Sequence, residues 1–166
     1  VVIDVERAKG DPASSVMTSA RAGCNPVRLA LSPDGGTAYV TARTDDALLA
    51  FDTQRIMTDA ATAFIGRVPV GIAPVGVAVI DGGSKVVVAN SNRFAGGSGD
   101  RSDLTVIDAK KIDTGASAVL GTIPAGAFPR QMHLTADGRT LLVTNANSGT
   151  LQVIDLTRLS LQPVKK

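Results

Sequence analysis

The sequence predicts an all-β fold, a β-propeller of four-stranded antiparallel blades, and three observations support this prediction. A segment of roughly 50 residues occurs three times, which is typical of stacked supersecondary units. Within each copy, the apolar residues form short runs bounded by turn residues, without the spacing of a sustained amphipathic helix. An Asp-Gly pair follows the first run of each copy, and such a pair favours a tight hairpin between two strands.

The three copies also indicate the domain organisation. Each copy opens on a Gly-x-x-Pro turn, at Gly23, Gly71 and Gly126. We therefore place blade boundaries near these residues and treat residues 1–166 as a single partial β-propeller. The middle copy is longer by about eight residues, and the surplus falls in the Gly- and Ser-rich stretch 93–102, which indicates a loop insertion on a repeating scaffold.

The first complete copy shows how its four strands arise. The apolar runs predict strands at Val27–Leu31, Thr37–Thr41, Leu48–Phe51 and Ala63–Val68. The pair Asp34-Gly35 joins the first two strands, because glycine supplies the positive φ of a tight turn. A proline lies near the start of each first strand, where a missing amide donor costs little. Each unit is therefore predicted to be an antiparallel meander.

Counting the strands gives about three and a quarter blades. Residues 1–4 align with the third strand of a unit, and residues 151–155 do so again. With the strands of a unit labelled a to d, the order is cd, abcd, abcd, abc. Propeller rings have roughly four to eight blades, and natural proteins avoid exposed strand edges. We expect that the chain is a piece of a longer propeller, or that a partner protein or a second copy completes its ring.

Three short motifs resemble the YVTN family of β-propeller repeats. They are Ala38-Tyr-Val-Thr-Ala42, Val87-Val-Ala-Asn90 and Leu142-Val-Thr-Asn145, each placed between an Asp-Gly turn and a strand similar to Val-Ile-Asp. The resemblance covers nearly the whole chain and implies the propeller fold and a location outside the cytoplasm, in the periplasm or at the cell surface. It says little about function, because such repeats occur in surface-layer-like proteins, lactonase-like enzymes and propeller domains of redox enzymes.

These classes leave two functions open. We expect a non-catalytic scaffold that binds a protein or a ligand and needs no cofactor. The alternative is part of a lactonase-like enzyme, or of a haem or quinone redox enzyme, whose catalytic groups lie partly outside this chain.

The single cysteine, Cys24, excludes an internal disulfide and a CxxC metal site. Its alignment with Ile72 and Ala127 predicts a small buried filler.

Composition and charge exclude further classes of function. Aromatic residues make up 3% of the chain, and 17 basic residues against 15 acidic ones give a net charge of +2 without a block of one sign. Nucleic-acid binding is not expected, since aromatic rings for base stacking are scarce. No apolar run approaches the roughly 18 residues that a membrane span requires.

His133 is the main candidate for chemistry. It is the only histidine, and the first strands of the other copies have Ala30 and Ala78 at its position. First strands line the central channel of a propeller, where ligands commonly bind. A histidine without Cys, His or carboxylate companions is a poor metal or catalytic signature, so a structural role in filling a gap stays open beside a role as a haem ligand.

Three more residues flank the same entrance to the channel. Arg28 and Gln131 occupy equivalent positions in their copies, with Gly76 between them in the series, and Arg130 precedes Gln131. Together they are candidates for holding an anionic group at the channel mouth. The other interpretation is that they are ordinary solvated surface residues.

The insertion and a recurring aspartate complete the set of candidates. We predict that the insertion contacts a partner protein, through Arg93, Phe94, Asp100 and Arg101, because it departs from the repeat. An aspartate closes the third strand of every unit, and its recurrence indicates a structural role in capping the turn that follows. These aspartates are Asp4, Asp52, Asp108 and Asp155.

Overall fold

The computed structural model describes residues 1–93 and 102–164. The described chain consists of thirteen β-strands with short helical segments between them. The strands are β1 (Val2–Ile3), β2 (Val16–Thr18), β3 (Pro26–Leu31), β4 (Thr37–Ala42), β5 (Ala47–Asp52), β6 (Phe64–Pro69), β7 (Pro74–Ile80), β8 (Lys85–Asn90), β9 (Asp103–Asp108), β10 (Val119–Pro124), β11 (Pro129–Leu134), β12 (Thr140–Asn145) and β13 (Thr150–Asp155).

The strands form antiparallel sheets in the order that the repeat predicts. β1 pairs with β2, β3 to β6 form the first sheet, β7 to β10 the second sheet, and β11 to β13 the third sheet. Neighbours along the chain are neighbours in each sheet, so every sheet is a meander. The innermost strand β7 contacts both β3 and β11. The chain is therefore a partial β-propeller, and the predicted order cd, abcd, abcd, abc is confirmed.

The Asp-Gly turns and the recurring aspartates act as local folding signals. Gly35 has a φ of 72° in the turn between β3 and β4, a backbone conformation that favours glycine. The Asp34 Oδ1 atom accepts a hydrogen bond from the Gly36 amide at 3.0 Å, which closes the turn. After β5, Asp52 Oδ1 accepts from the Arg55 amide at 3.0 Å. Asp52 therefore caps a helical segment, and the predicted capping role is confirmed there.

Short helical segments follow the third strands, and the sequence did not predict them. In all but one of them, an Asp N-cap accepts a hydrogen bond from an amide that has no partner within the helix. The exception is Asp81–Gly83, which lies between β7 and β8 and has no side-chain cap. The helices are α1 (Val5–Gly10) and α2 (Thr53–Thr58), and the 3-10 segments are Pro12–Ser14, Ala60–Thr62, Asp81–Gly83, Ala109–Ala118 and Leu156–Arg158. No helix in the described part of the chain combines the length and hydropathy that a membrane crossing needs.

The cores lie between the sheets. One cluster, which includes Leu104, Val106 and Leu141, fills the space between the second and third sheets. Another, which includes Tyr39, Leu48 and related side chains, lies between the first and second sheets. Small β-branched and aliphatic residues suit such closely packed strand faces. The face-to-face packing of the sheets therefore brings the ends of β3, β7 and β11 together.

Candidate functional site

The ends of the innermost strands bring together two residues that the sequence predicted as neighbours. Arg28 of β3 and Gln131 of β11 each lie two residues after the proline that starts their strand. The Arg28 Nε atom donates a hydrogen bond to Gln131 Oε1 at 3.3 Å. This contact joins the first sheet to the third sheet at one end of the molecule.

Gly76 makes this contact possible from the strand between. It occupies the equivalent position of β7, and a Cβ atom placed on it would lie 2.8 Å from the carbonyl oxygen of Arg130. A side chain at this position would collide with β11. We infer that glycine lets β7 and β11 approach and leaves the space through which Arg28 reaches Gln131.

Hydroxyl groups hold the starts of these strands in place. The Arg28 amide donates to Thr41 Oγ1 at 3.2 Å, and the Gln131 amide donates to Thr144 Oγ1 at 3.2 Å. The buried Thr41 hydroxyl also donates to the Val75 carbonyl oxygen at 3.0 Å. The starts of β3 and β11 are therefore held in the same way. In each sheet, a threonine hydroxyl on the second strand accepts a hydrogen bond from a backbone amide of the first strand.

Phe128 is a further residue of this end of the molecule, and sequence reasoning missed it. The guanidinium carbon of Arg93 lies 5.3 Å from the centre of its ring, and that of Arg130 lies 5.9 Å away. Both distances are typical of cation–π contacts. The alignment contained a signal, because the equivalent residues Asn25 and Ala73 are both small. We call Arg28, Arg93, Phe128, Arg130 and Gln131 the rim site.

The backbone of Phe128 is in a conformation that bulky residues rarely adopt. Its φ is 56°, as in the equivalent Asn25 and Ala73, which both have a φ of 51°. The left-handed region costs about 1–2 kcal/mol for a residue with a Cβ atom, and asparagine tolerates it best. The fold imposes this turn on every copy, and only the third copy places an aromatic ring there.

Two carboxylates at this end of the molecule, those of Asp45 and Asp46, accept hydrogen bonds from the backbone. Asp45 Oδ2 accepts from the Cys24 amide at 2.8 Å, and Asp46 Oδ1 accepts from the Ala73 amide at 2.8 Å. The hydrogen bond and negative charge of Asp45 raise the pKa of the Cys24 thiol. Cys24 is exposed, so its predicted role as a buried filler is wrong. It lies in the surface turn before β3 rather than inside a strand.

No hydrogen bond or ion pair joins His133 to the rim site within the described residues. It lies on β11 opposite Leu142, and its side chain is exposed. The equivalent Ala78 of the second sheet is buried against the third sheet. His133 therefore lies on the face of the third sheet that no other sheet covers. Among the described residues, no group of three or more His, Cys, Asp or Glu side chains could hold a metal ion.

The predicted partner loop is only partly within the described structure. Arg93 lies at its start and contacts Phe128. Phe94, Asp100 and Arg101 lie outside the described residues. The proposed role of the insertion 93–102 in contacting a partner therefore stays a prediction, as do the blade boundaries near 23, 71 and 126.

Equivalent apolar residues differ sharply in exposure between sheets. Leu104 and Val106 of β9 are fully buried against the third sheet, with 0% exposure. Leu151 and Val153 hold the same positions on β13, and they are 60% and 65% exposed. We call the side of the third sheet that carries Leu151, Val153 and His133 the open face.

The first sheet has a matching exposed surface. Leu29 and Leu31 of β3 are 66% and 52% exposed, whereas the equivalent Met132 of β11 is buried against the second sheet. A groove of about 440 Å³ separates this surface from the β1 and β2 pair. Its lining is mainly apolar and includes Val2, Ile3, Leu29, Leu31, Val40 and Phe51.

Comparisons with known proteins support the fold. No family model matches the chain, and no curated protein matches it. A hydrazine synthase from Kuenenia stuttgartiensis is 20% identical with a TM-score of 0.67, and the match covers 87% of this chain and 36% of that one. A candidate 6-phosphogluconolactonase from Bacteroides uniformis is 20% identical with a TM-score of 0.64, and the match covers 86% of this chain and 39% of that one.

A second candidate 6-phosphogluconolactonase, from Bacteroides fragilis, is 17% identical with a TM-score of 0.64 over 82% of this chain and 36% of that one. The chain thus spans between 36% and 39% of the length of these three structures. Likeness at such low identity concerns the fold. It supports the propeller fold.

Proposed function

We propose that this chain is a non-catalytic β-propeller scaffold that binds other proteins or ligands as part of a larger propeller or assembly. The observation that carries the proposal is the exposure of Leu151 and Val153 at positions that are buried in the second sheet. Burial of one such side chain stabilises an interface by about 1.5–3 kcal/mol. The open face is therefore a surface that further β-strands cover.

The chain itself carries both halves of such an interface. The open face shares Leu and Val at two positions with the second sheet's buried face, and Leu29 and Leu31 hold the positions of the third sheet's buried Met132 and partly buried Leu134. The open face of one copy could pack against the Leu29 and Leu31 surface of a second copy. However, β13 and β1 both hold the third-strand position, so a second copy reaches the inner strands only when the β1 and β2 pair moves aside. Strands of a longer propeller fit without this conflict.

Sedimentation velocity across the micromolar range tests whether these surfaces associate. Because Leu151 and Val153 are uncovered in this chain, we expect copies to associate through the open face without closing a ring, and the double variant Leu151→Lys/Val153→Lys to associate much less. Ile72→Lys is the matched control, because Ile72 is similarly exposed but lies away from the open face. A well-folded monomer at every concentration would contradict the proposal.

The insertion 93–102 is the proposed contact for a protein partner outside the ring. Its starting residue Arg93 already contacts Phe128 on the rim. We expect that replacing residues 94–101 of the insertion by a short Gly-Ser turn weakens partner binding and leaves the unfolding free energy nearly unchanged, because this variant keeps the buried and hydrogen-bonded Ser102. Unchanged affinity for an identified partner would argue against this role. The resemblance to YVTN repeats extends the proposal to a location outside the cytoplasm, which cell fractionation tests.

The competing proposal is a piece of a lactonase-like or redox enzyme. It is supported by the likeness to candidate 6-phosphogluconolactonases, and in its redox form by the exposed imidazole of His133. Acid release from 6-phosphogluconolactone in the presence of the chain tests the first form. A haem absorption band that disappears in His133→Ala tests the second. We expect neither signal from this chain, and either one would overturn the scaffold proposal.

A further inference from the structure

Arg28 and Arg130 of the rim site carry positive charge that no ion pair within the described residues neutralises. The ion pairs in the described part of the chain join five acidic residues, Glu6, Asp4, Asp52, Asp81 and Asp155, to nearby Lys or Arg side chains. None of these pairs includes Arg28 or Arg130. The nearby carboxylates of Asp45 and Asp46 are already bound by backbone amides.

Arg28 has the orientation that recognition of an oxyanion requires. Its Nε atom donates to Gln131 Oε1, which leaves Nη1 and Nη2 without an acceptor among the described residues. The Nε2 group of Gln131 adds a further donor at the same place. A guanidinium group with one side held and two donors free matches two oxygens of a carboxylate or phosphate.

The guanidinium groups around Phe128 strengthen this preference. Arg93 and Arg130 both lie over its ring, at 5.3 Å and 5.9 Å from the ring centre. Arg130 thereby adds a second positive charge to this end of the molecule, and such a charge favours an anion bound beside it. The ring also offers an apolar surface next to the charges, where part of a bound ligand could pack.

We propose that the rim site binds a ligand through an oxyanion group, a carboxylate or a phosphate, held by Arg28 and Gln131 with Arg130 as a second positive charge. The site draws on the first and third sheets of one chain. Gln131 is opposite Thr144, which pairs with Leu151, so the site borders the open face, which is uncovered in this structure.

Titration of the full chain with inorganic phosphate, and separately with succinate, tests the proposal at constant ionic strength. The arginine Nε–H signals are followed by NMR. We expect saturable shifts of the Arg28 signal in at least one titration, and the stronger of the two identifies the preferred oxyanion. In Arg28→Gln the apparent affinity, followed through the Arg130 signal, falls about ten-fold or more.

Two further variants separate a specific site from general charge attraction. Arg28→Lys keeps the charge but loses the paired donors, so we expect it to bind clearly more weakly than the unaltered chain. Arg139→Gln removes an exposed arginine from the turn between β11 and β12, at the other end of the strands, and should bind normally. Circular dichroism verifies that each variant is folded. Shifts that never saturate, or an equal loss of affinity in Arg139→Gln and Arg28→Gln, would overturn the proposal.

Discussion

The second and third sheets present the same rows of residues to opposite environments. Across the second sheet, Ala89 pairs with Leu104 and Val87 pairs with Val106, and all four are buried. Across the third sheet, the equivalent Leu151 and Val153 face outward. At these two positions the residues are identical, so their difference in exposure comes from the neighbouring sheet. An exposed leucine in a repeat protein is therefore informative when its equivalents are buried.

Truncating the equivalent residues Leu104 and Leu151 should give the largest difference in stability between the two sheets. Leu104→Ala removes a fully buried side chain, so we expect the unfolding free energy to fall by about 2–5 kcal/mol. Leu151→Ala removes a largely exposed one and should cost less than about 1 kcal/mol. Urea unfolding of dilute monomeric samples measures both. Equal losses in the two variants would mean that the open face is covered in the isolated chain.

We expect a smaller loss of stability at the equivalent positions Gly76 and Gln131, which lie at the rim site. Gly76→Ala places a Cβ atom 2.8 Å from the carbonyl oxygen of Arg130, so we expect a loss of about 1–3 kcal/mol. Gln131→Ala, at the equivalent position of the third sheet, should be nearly neutral because its side chain is exposed. Thermal unfolding compares the pair. A neutral Gly76→Ala would show that the second and third sheets can separate at the rim without cost.

The smallest difference should be between the hairpin turns of Asp34 and Asp137, because the same hydrogen bonds form in the first and third sheets. The hydroxyls of Ser32 and Thr135, together with turn amides, hold the pKa of Asp34 and of Asp137 below the usual value. Each ionised carboxylate therefore contributes stability above the unfolded-state pKa of about 3.9 and loses it as the pH falls through the lower folded-state value. We expect Asp34→Asn and Asp137→Asn to flatten the acid side of the stability curve equally. Urea unfolding between about pH 2 and pH 6 measures this. A much larger effect in one variant would show that the turns are not equivalent.

Most of the fold could be predicted from the sequence because its local signals agree with one another. The predicted strand Thr37–Thr41 corresponds to Thr37–Ala42 in the structure, and the Asp-Gly turns lie where the repeat places them. The capping role of Asp52 also followed from its recurrence. The capped helical segments were missed because a single turn of helix is too short to give an amphipathic pattern.

The rim site could be predicted only in part. The alignment paired Arg28 with Gln131, but the hydrogen bond between them depends on how closely the sheets pack at Gly76. Phe128 was missed because its importance comes from its cation–π contacts with Arg93 and Arg130, which depend on the folded structure. The prediction that Cys24 is buried was wrong because its alignment with the apolar Ile72 and Ala127 was taken as a sign of burial. This position of the repeat lies in a surface turn.

Covalent labelling tests most directly the claim that the open face is an interface. In a Cys24→Ser background, Val153→Cys places one thiol on the open face, and Ile72→Cys places one on a similarly exposed turn. Alkylation is measured at low and high protein concentration. We predict that the Val153→Cys thiol reacts more slowly as the concentration rises, while the Ile72→Cys thiol reacts at a constant rate. A Val153→Cys rate that does not depend on concentration would contradict the account.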